Sequence, residues 1–304
     1  MHEGPAPRKA TSRPSGGALA FAALIGGNIA LAFGPWFVRL TDVGPVAAGF
    51  WRIGLATPLL LALASLTGGR PIASARGLGW VLAGSGLLFA GDLASWHIGI
   101  HQTKLANATL FGNAATFVFP LYGFLVARAW PTRMQGLALA LAAIGAALLM
   151  GRSYQLDPQN FVGDLLCLAA GILYAGYFIL MARARASMAP LPALGLSSAA
   201  TVFPLLFAAM LLGERIWPQQ WAPLIGLALC SQVIGQGLMI YALGRFSPLV
   251  IGLALLTQPV VAATVGWLAY GEALGTADFI GALLVAAALV LVRIAPERRV
   301  AASE

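Results

Sequence analysis

The sequence predicts an all-α membrane protein with ten transmembrane helices arranged as two inverted five-helix repeats. Three observations support this prediction. Hydrophobic residues make up 60% of the 304 residues and charged residues only 9%, whereas a soluble domain carries about 25% charged residues. Ten apolar runs approach or exceed the length that crosses a hydrocarbon core about 30 Å thick. Matching residues also recur at an offset near 145 between the two halves of the chain.

The ten runs follow one another with short connections, which leave no room for a separate soluble domain. Their approximate bounds are Ala18–Val38, Val43–Leu66, Leu78–Ile100, Leu105–Ala127, Met134–Met150, Phe161–Ala182, Leu191–Leu212, Trp221–Leu243, Phe246–Tyr270 and Phe279–Ile294. The runs are continuously apolar and lack the two-residue alternation of β-barrel strands. Helices are therefore predicted throughout.

An internal repeat relates residues about 145 positions apart. Gly136 matches Gly281, and Asn113 matches Gln258. Because five is an odd number of helices, the second repeat must enter the membrane from the opposite side, an architecture used by transporters with a central site. The predicted units are a disordered cytoplasmic tail at 1–17, the first repeat at 18–152, an outer linker at 153–160, the second repeat at 161–294 and a cytoplasmic tail at 295–304.

Lysine and arginine residues are unevenly divided between the two predicted sides of the membrane. Thirteen fall on the side that carries both termini, and four fall on the other side. Because positive residues are retained in the cytoplasm, both termini are predicted to be cytoplasmic. Single basic residues between apolar runs explain the net charge of +8 without a nucleic-acid partner.

Two charged side chains lie inside predicted helices. Arg52 in the second helix and Asp92 in the third are each about eight residues, or roughly 12 Å, from the outer face. A carboxylate near mid-membrane costs at least about 2.5–3.5 kcal/mol, so it is rarely placed there without a role. Equal depth allows an ion pair between Arg52 and Asp92. The alternative is that Arg52 extends its guanidinium outwards while Asp92 caps a neighbouring backbone.

Amides and aromatic side chains occupy matching positions of the two halves, which predicts a shared cavity suited to an amphipathic ligand. The candidate cavity residues are Arg52, Asp92, Trp96, Asn107, Asn113, Tyr174, Gln232, Gln236 and Gln258. The candidates for gating or coupling are Asp92, Arg52 and Glu272. The competing interpretation of each single amide is helix packing, in which such a bond contributes about 0.6 kcal/mol on average.

Other polar residues have more ordinary interpretations. His97 and His101 are four residues apart, the spacing of a metal clamp. The chain has only three histidines, one of them in the N-terminal tail, so no metal and no cofactor is expected. A histidine in contact with water near the outer face is expected instead. Glu214, at the end of the seventh run, is expected to be a solvated charge.

Short motifs in several helices carry a family resemblance. They are Phe50-Trp51-Arg52 with Pro58 in the second helix, Gly163-Asp164 at the start of the sixth, and Gly271-Glu272 at the end of the ninth. Over residues 18–294 the chain resembles the ten-helix drug/metabolite transporter superfamily, in its EamA-type branch. The resemblance implies export of amino acids, including aromatic ones, or of related metabolites and drugs across the bacterial inner membrane. Ala127 stands where an acid would mirror Glu272, so the two halves are expected to close differently.

The favoured interpretation is a monomeric secondary transporter that moves a small solute across the lipid bilayer by alternating access. The sequence contains no P-loop motif, and Lys9 and Lys104 are its only lysines, so direct drive by ATP through a P-loop is excluded. One alternative is a passive facilitator or channel. Another is an intramembrane enzyme using Ser197, for which the sequence shows no positioned base.

Overall fold

The computed structural model describes residues 15–68, 70–103, 108, 111–151, 158–270 and 275–294. Within these ranges every regular element is a helix, which confirms the all-α prediction. Eight helices of the described part are long and apolar enough to cross a membrane, and two shorter apolar helices bring the number to ten. The protein is therefore a multi-pass membrane protein. Residues 1–14, most of the 153–160 linker and residues 295–304 lie outside the described ranges.

The ten apolar helices are labelled α1 to α10 in chain order. They are α1 (Ser15–Ala32, continued by Gly34–Arg39), α2 (Pro45–Leu66), α3 (Gly79–Gln102), α4 (Ala115–Ala127), α5 (Arg133–Gly151), α6 (Phe161–Arg185), α7 (Pro190–Leu211), α8 (Ala222–Leu243), α9 (Pro248–Ala254 and Thr257–Tyr270) and α10 (Thr276–Ile294). Short helices at Pro71–Ser74 and Pro158–Asn160 lie in the connections. Most boundaries agree with the predicted runs to within a few residues.

Each helix of the first half packs most extensively against one helix of the second half. Among the described residues the pairs are α1 with α8, α2 with α7, α3 with α6, α4 with α9, and α5 with α10. Exchanging the two halves converts the α3–α6 pair into the α8–α1 pair and leaves the other three pairs unchanged. This is the pairing expected when a twofold axis relates two repeats.

The crossing of α5 and α10 gives the relative direction of equivalent helices. A Cβ atom added to Gly145 would lie 2.8 Å from the carbonyl oxygen of Gly281, and the reverse distance is also 2.8 Å. Gly145 also approaches Val285, whereas Gly281 approaches Leu149. Gly145 precedes Leu149 in α5 but lies against Val285, which follows Gly281 in α10. The two helices are therefore antiparallel. Equivalent helices therefore run in opposite directions, as the prediction of inverted repeats requires.

The ninth helix is broken, although the run Phe246–Tyr270 predicts one continuous helix. The backbone N–H groups of Leu255 and Leu256 bond to carbonyls three residues earlier, which tightens the chain between the two segments of α9. Pro259 has no N–H to donate to the carbonyl of Leu255. That carbonyl accepts the N–H of Gln258 instead, at 3.0 Å.

The α1–α2 and α7–α8 connections meet at one face of the bundle. The Glu214 carboxylate accepts hydrogen bonds from the N–H groups of Val46, at 3.2 Å, and Ala47, at 2.8 Å, in the first turn of α2. A negative charge stabilises a helix at its N-terminal end. Glu214 is thus a helix cap, and the prediction of a merely solvated charge is wrong. At the same face, the N–H of Gln219 donates to Asp42 at 2.7 Å and lowers the pKa of that carboxyl.

Candidate functional site

A cavity of about 110 Å³ lies between the two halves. Its wall is formed by residues of α1, α2, α3, α6 and α9 and by the residues that precede α4. Six of the nine residues proposed from the sequence line it: Arg52, Asp92, Trp96, Asn113, Tyr174 and Gln258. Asn107 and Glu272 lie outside the described residues. Gln232 and Gln236 lie behind the wall and bond to two of its members.

Arg52 extends from α2 and is held by a buried amide. Its Nε donates to Gln232 Oε1 at 3.2 Å, and Gln232 Nε2 donates in turn to the Ser198 hydroxyl at 3.1 Å. The guanidinium carbon lies 5.8 Å from the centre of the Phe89 ring, within the range of a cation–π contact. Arg52 is only 6% exposed, so these contacts fix its direction while its terminal nitrogens have no hydrogen-bond partner among the described residues.

Asp92 extends from α3 into the same cavity and is 9% exposed. The part of the chain that the structure describes contains no salt bridge between Asp92 and Arg52, so the proposed ion pair is not formed in this conformation. Nor does the Asp92 carboxylate cap any described backbone group, which was the alternative. A buried carboxylate without a partner is costly. The cavity is the side from which a partner can reach Asp92.

Aromatic rings form the rest of the wall and continue behind it. Phe89, Trp96 and Tyr174 line the cavity. Behind them, the Tyr177 ring centre lies 4.5 Å from that of Phe89, and the Phe178 ring centre lies 4.3 Å from that of Tyr174. Tyr177 and Phe178 are completely buried. This packed aromatic layer closes the cavity towards the ends of α3 and α6 at Gly79 and Arg185.

Helix irregularities border the cavity in both halves. Asn113 lies two residues before the first residue of α4, and Gln258 lies in the first turn of the second segment of α9. Both side chains line the cavity, at the two positions that the repeat matches. A helix begins near the cavity in each half, so the positive ends of two helix dipoles approach it.

Gln258 also binds an amide that sequence reasoning overlooked. Gln258 Nε2 donates to Asn28 Oδ1 at 3.0 Å, and Asn28 Nδ2 donates to the carbonyl of Leu24 at 2.9 Å. Asn28 is completely buried in α1. The only indication in the sequence was an amide within an otherwise apolar run. This bond links α1 of the first half to α9 of the second.

The eighth helix presents its two glutamines from a widened segment. Leu227–Gln236 winds as a π-helix, a form that is rare and frequently found at functional sites. Gln232 on this segment holds Arg52, and Gln236 Oε1 accepts the Tyr174 hydroxyl at 3.1 Å. The Nε2 atom of Gln236 is buried and has no partner among the described residues. The segment therefore supports two cavity residues from behind.

The histidines of α3 do not border the cavity. His97 is completely buried, and its Nδ1 lies 2.7 Å from the carbonyl oxygen of Pro45. The prediction of a histidine in contact with water is therefore wrong for His97, because α2 begins directly against it. No group of three or more His, Cys, Asp or Glu residues in the described ranges could hold a metal ion.

Comparison with known proteins identifies the second half. Residues 161–294 match the EamA-like transporter family. The second half of the chain is therefore similar to an EamA-like transporter domain. This domain contributes α6 to α10, and therefore Tyr174, Gln232, Gln236 and Gln258, to the cavity and its supporting layer.

Two other proteins are similar to this chain, one in sequence and one in fold. An uncharacterized transporter of Archaeoglobus fulgidus is 26% identical over 149 residues, which are 47% of this chain and 50% of that protein. The match thus spans half the length of this curated relative. A protein crystal structure superposes with a TM-score of 0.76 at 16% identity and covers 92% of this chain and 97% of its own. At that identity the likeness concerns the fold alone.

Proposed function

We propose that the protein is a secondary transporter that moves a small zwitterionic solute, an amino acid or a related metabolite, through the cavity between its halves. The observation that supports this proposal is that Asp92 and Arg52 line one cavity and form no salt bridge with each other. An ammonium group can pair with Asp92 and a carboxylate with Arg52. Because both charges are costly while unpaired in a membrane, a solute that pairs with both is bound favourably.

The remaining wall supports the same class of solute. Phe89, Trp96 and Tyr174 offer aromatic surface for the apolar part of an amino acid. The helix starts near Asn113 and Gln258 favour a carboxylate in the cavity. An aromatic amino acid therefore suits the wall better than a sugar or an anion without an amine.

The size of the cavity supports alternating access. Its volume of about 110 Å³ is below the roughly 300–1,000 Å³ typical of ligand pockets. A solute of amino-acid size enters only after the helices move apart. Inverted halves provide such a motion, because one half can rock against the other around a fixed site. We further propose that both termini are cytoplasmic. The proposed direction is export across a bacterial inner membrane, as the similarity to EamA-like transporters implies.

The test uses the purified full-length protein in liposomes and three probes that share a phenyl ring. Phenylalanine carries both charges, 2-phenylethylamine lacks the carboxylate, and 3-phenylpropionate lacks the amine. We expect saturable counterflow with phenylalanine and weak competition by the other two. Asp92→Asn and Arg52→Gln should abolish the counterflow, whereas the control Asp278→Asn, in the first turn of α10, should retain it.

The outcomes separate the competing functions. If 2-phenylethylamine competes as strongly as phenylalanine, Arg52 does not bind a carboxylate and the zwitterion proposal fails while transport stands. Flux that does not saturate and shows no counterflow indicates a channel. Chemical change of the solute indicates an enzyme.

A further inference from the structure

A second site lies away from the cavity, at the ends of α6 and α8. A groove of about 370 Å³ runs between the last turn of α6 and the α8–α9 connection. Arg185, Gly244, Arg245 and Ser247 line it, with Leu243 and Phe246 as apolar neighbours. These residues are called the arginine groove below.

Arg185 is held in a fixed position along this groove. Its Nε donates to the carbonyl of Ile240 at 3.0 Å, and its Nη1 donates to the carbonyl of Met188. A Cβ atom on residue 244 would lie 2.6 Å from Arg185 Nη2, so only a glycine lets the guanidinium lie against the connection. A guanidinium fixed in this way loses little side-chain freedom when it binds a ligand.

Two further hydrogen-bond donors face the groove. The guanidinium carbon of Arg245 stacks 4.0 Å from the centre of the Tyr241 ring, and the rest of this exposed side chain has no described hydrogen bond. The Ser247 hydroxyl makes no capping bond to the helix that follows it. Together with Arg185, these groups offer two positive charges and a hydroxyl on one surface.

No carboxylate in the described ranges balances these charges. The described acidic residues lie in the cavity, in the connections at the opposite face, or at the starts of α6 and α10: Asp42, Asp92, Asp164, Glu214 and Asp278. Arginines do lie at the same face as the groove: Arg70, Arg76, Arg128, Arg133, Arg183 and Arg293. Among the described residues, the groove therefore has a positive charge that no carboxylate balances, at the depth where membrane helices end.

We propose that the arginine groove binds the phosphate of an anionic lipid headgroup. Phosphate accepts several hydrogen bonds from arginine at once, in a geometry that guanidinium groups match. Basic pockets between membrane helices bind such headgroups. The half-buried Phe246 favours a lipid over free phosphate, because it adds apolar surface beside the two arginines.

The test measures lipid retention on the full-length protein by native mass spectrometry after titration with phosphatidylglycerol or phosphatidylcholine. We expect tight binding of phosphatidylglycerol and about fivefold weaker binding in Arg245→Gln and in Arg185→Gln. The matched control is Arg76→Gln, an exposed arginine of the same face outside the groove, which should bind as the wild type does. Arg245 is exposed, so the Arg245→Gln variant should fold even if Arg185→Gln does not.

Two results would overturn the proposal. The first is Arg245→Gln retaining phosphatidylglycerol as well as the wild type. The second is inorganic phosphate displacing phosphatidylglycerol from the wild-type and Arg76→Gln proteins alike, until neither retains lipid. That result would identify a free anion as the ligand.

Discussion

The Asp92 carboxylate and the Arg52 guanidinium line one cavity without forming a salt bridge with each other. Arg52 is directed by Gln232 and Phe89, whereas Asp92 makes no hydrogen bond or salt bridge to a described residue. The protein thus keeps two opposite charges apart at considerable cost.

Replacing Asp92 by asparagine should separate stability from solute binding. Because the carboxylate touches no cation, relieving its desolvation outweighs the distant attraction to Arg52. We expect the solute-free Asp92→Asn protein to be as stable as the wild type or more stable by about 1 kcal/mol. Stabilisation by saturating phenylalanine should disappear, as measured by thermal unfolding in detergent. A clear loss of stability without solute would show that Asp92 has a structural role.

Removing the amide that holds Arg52 should cost more than removing its neighbour on the same helix. Gln232→Leu breaks a bond to a charged group, so we expect a loss of about 1.5–3 kcal/mol and a raised KM for the solute. The control Gln236→Leu breaks a bond to the neutral Tyr174 hydroxyl, and about 0.5–1.5 kcal/mol is expected. Unfolding curves and counterflow kinetics of the two variants provide the comparison. Equal losses of stability in the two variants would argue against the proposal that Gln232 orients Arg52.

The bond between Asn28 and Gln258 should couple the two halves. In a double-mutant cycle of Asn28→Ala and Gln258→Ala we expect a coupling energy near the average for membrane helices, about 0.6 kcal/mol and no more than about 1.7. The control cycle pairs Asn28→Ala with Gln236→Ala, residues that make no bond to each other, and should give a value near zero. A null coupling for the first pair would mean that the bond contributes nothing to folding.

At the face where α2 begins, Gly44 and Glu214 should show a non-additive effect. A Cβ atom on residue 44 would lie 2.5 Å from the Cβ of Glu214, so Gly44→Ala should displace the carboxylate that caps α2. We expect each of Gly44→Ala and Glu214→Ala to cost about 1–2 kcal/mol. The double variant should cost little more than one of them, because both remove the same cap. Thermal unfolding of the three variants tests this, and simple addition would contradict it.

The sequence was sufficient to bring Arg52, Asp92, Asn113 and Gln258 to one cavity, because helix rise fixes their depth and the repeat relates their positions. The sequence was not sufficient to predict the register in which α5 packs against α10. The match of Gly136 to Gly281 suggested equivalent positions, yet Gly145 is the residue that meets Gly281. A Cβ atom added to Gly136 would have no atom of another helix within 4 Å. Apolar helices resemble one another in composition, so sequence matching alone cannot choose between two glycines nine residues apart.

Local winding also escaped prediction. The π-helical segment of α8 and the break in α9 depend on hydrogen-bond choices between carbonyls one residue apart, which hydropathy does not report. Asn28 was overlooked because its partner lies 230 positions away along the chain. For Asn28 the deciding interaction is therefore tertiary.

The contact between Gly145 and Gly281 has a consequence for how the molecule can deform. Where two main chains touch, no side chain is left to shift, and Leu149 and Val285 obstruct sliding on either side. The two helices can still swivel about their crossing point. The α5–α10 crossing should therefore act as a pivot. The displacement of the other helices should increase with their distance from it.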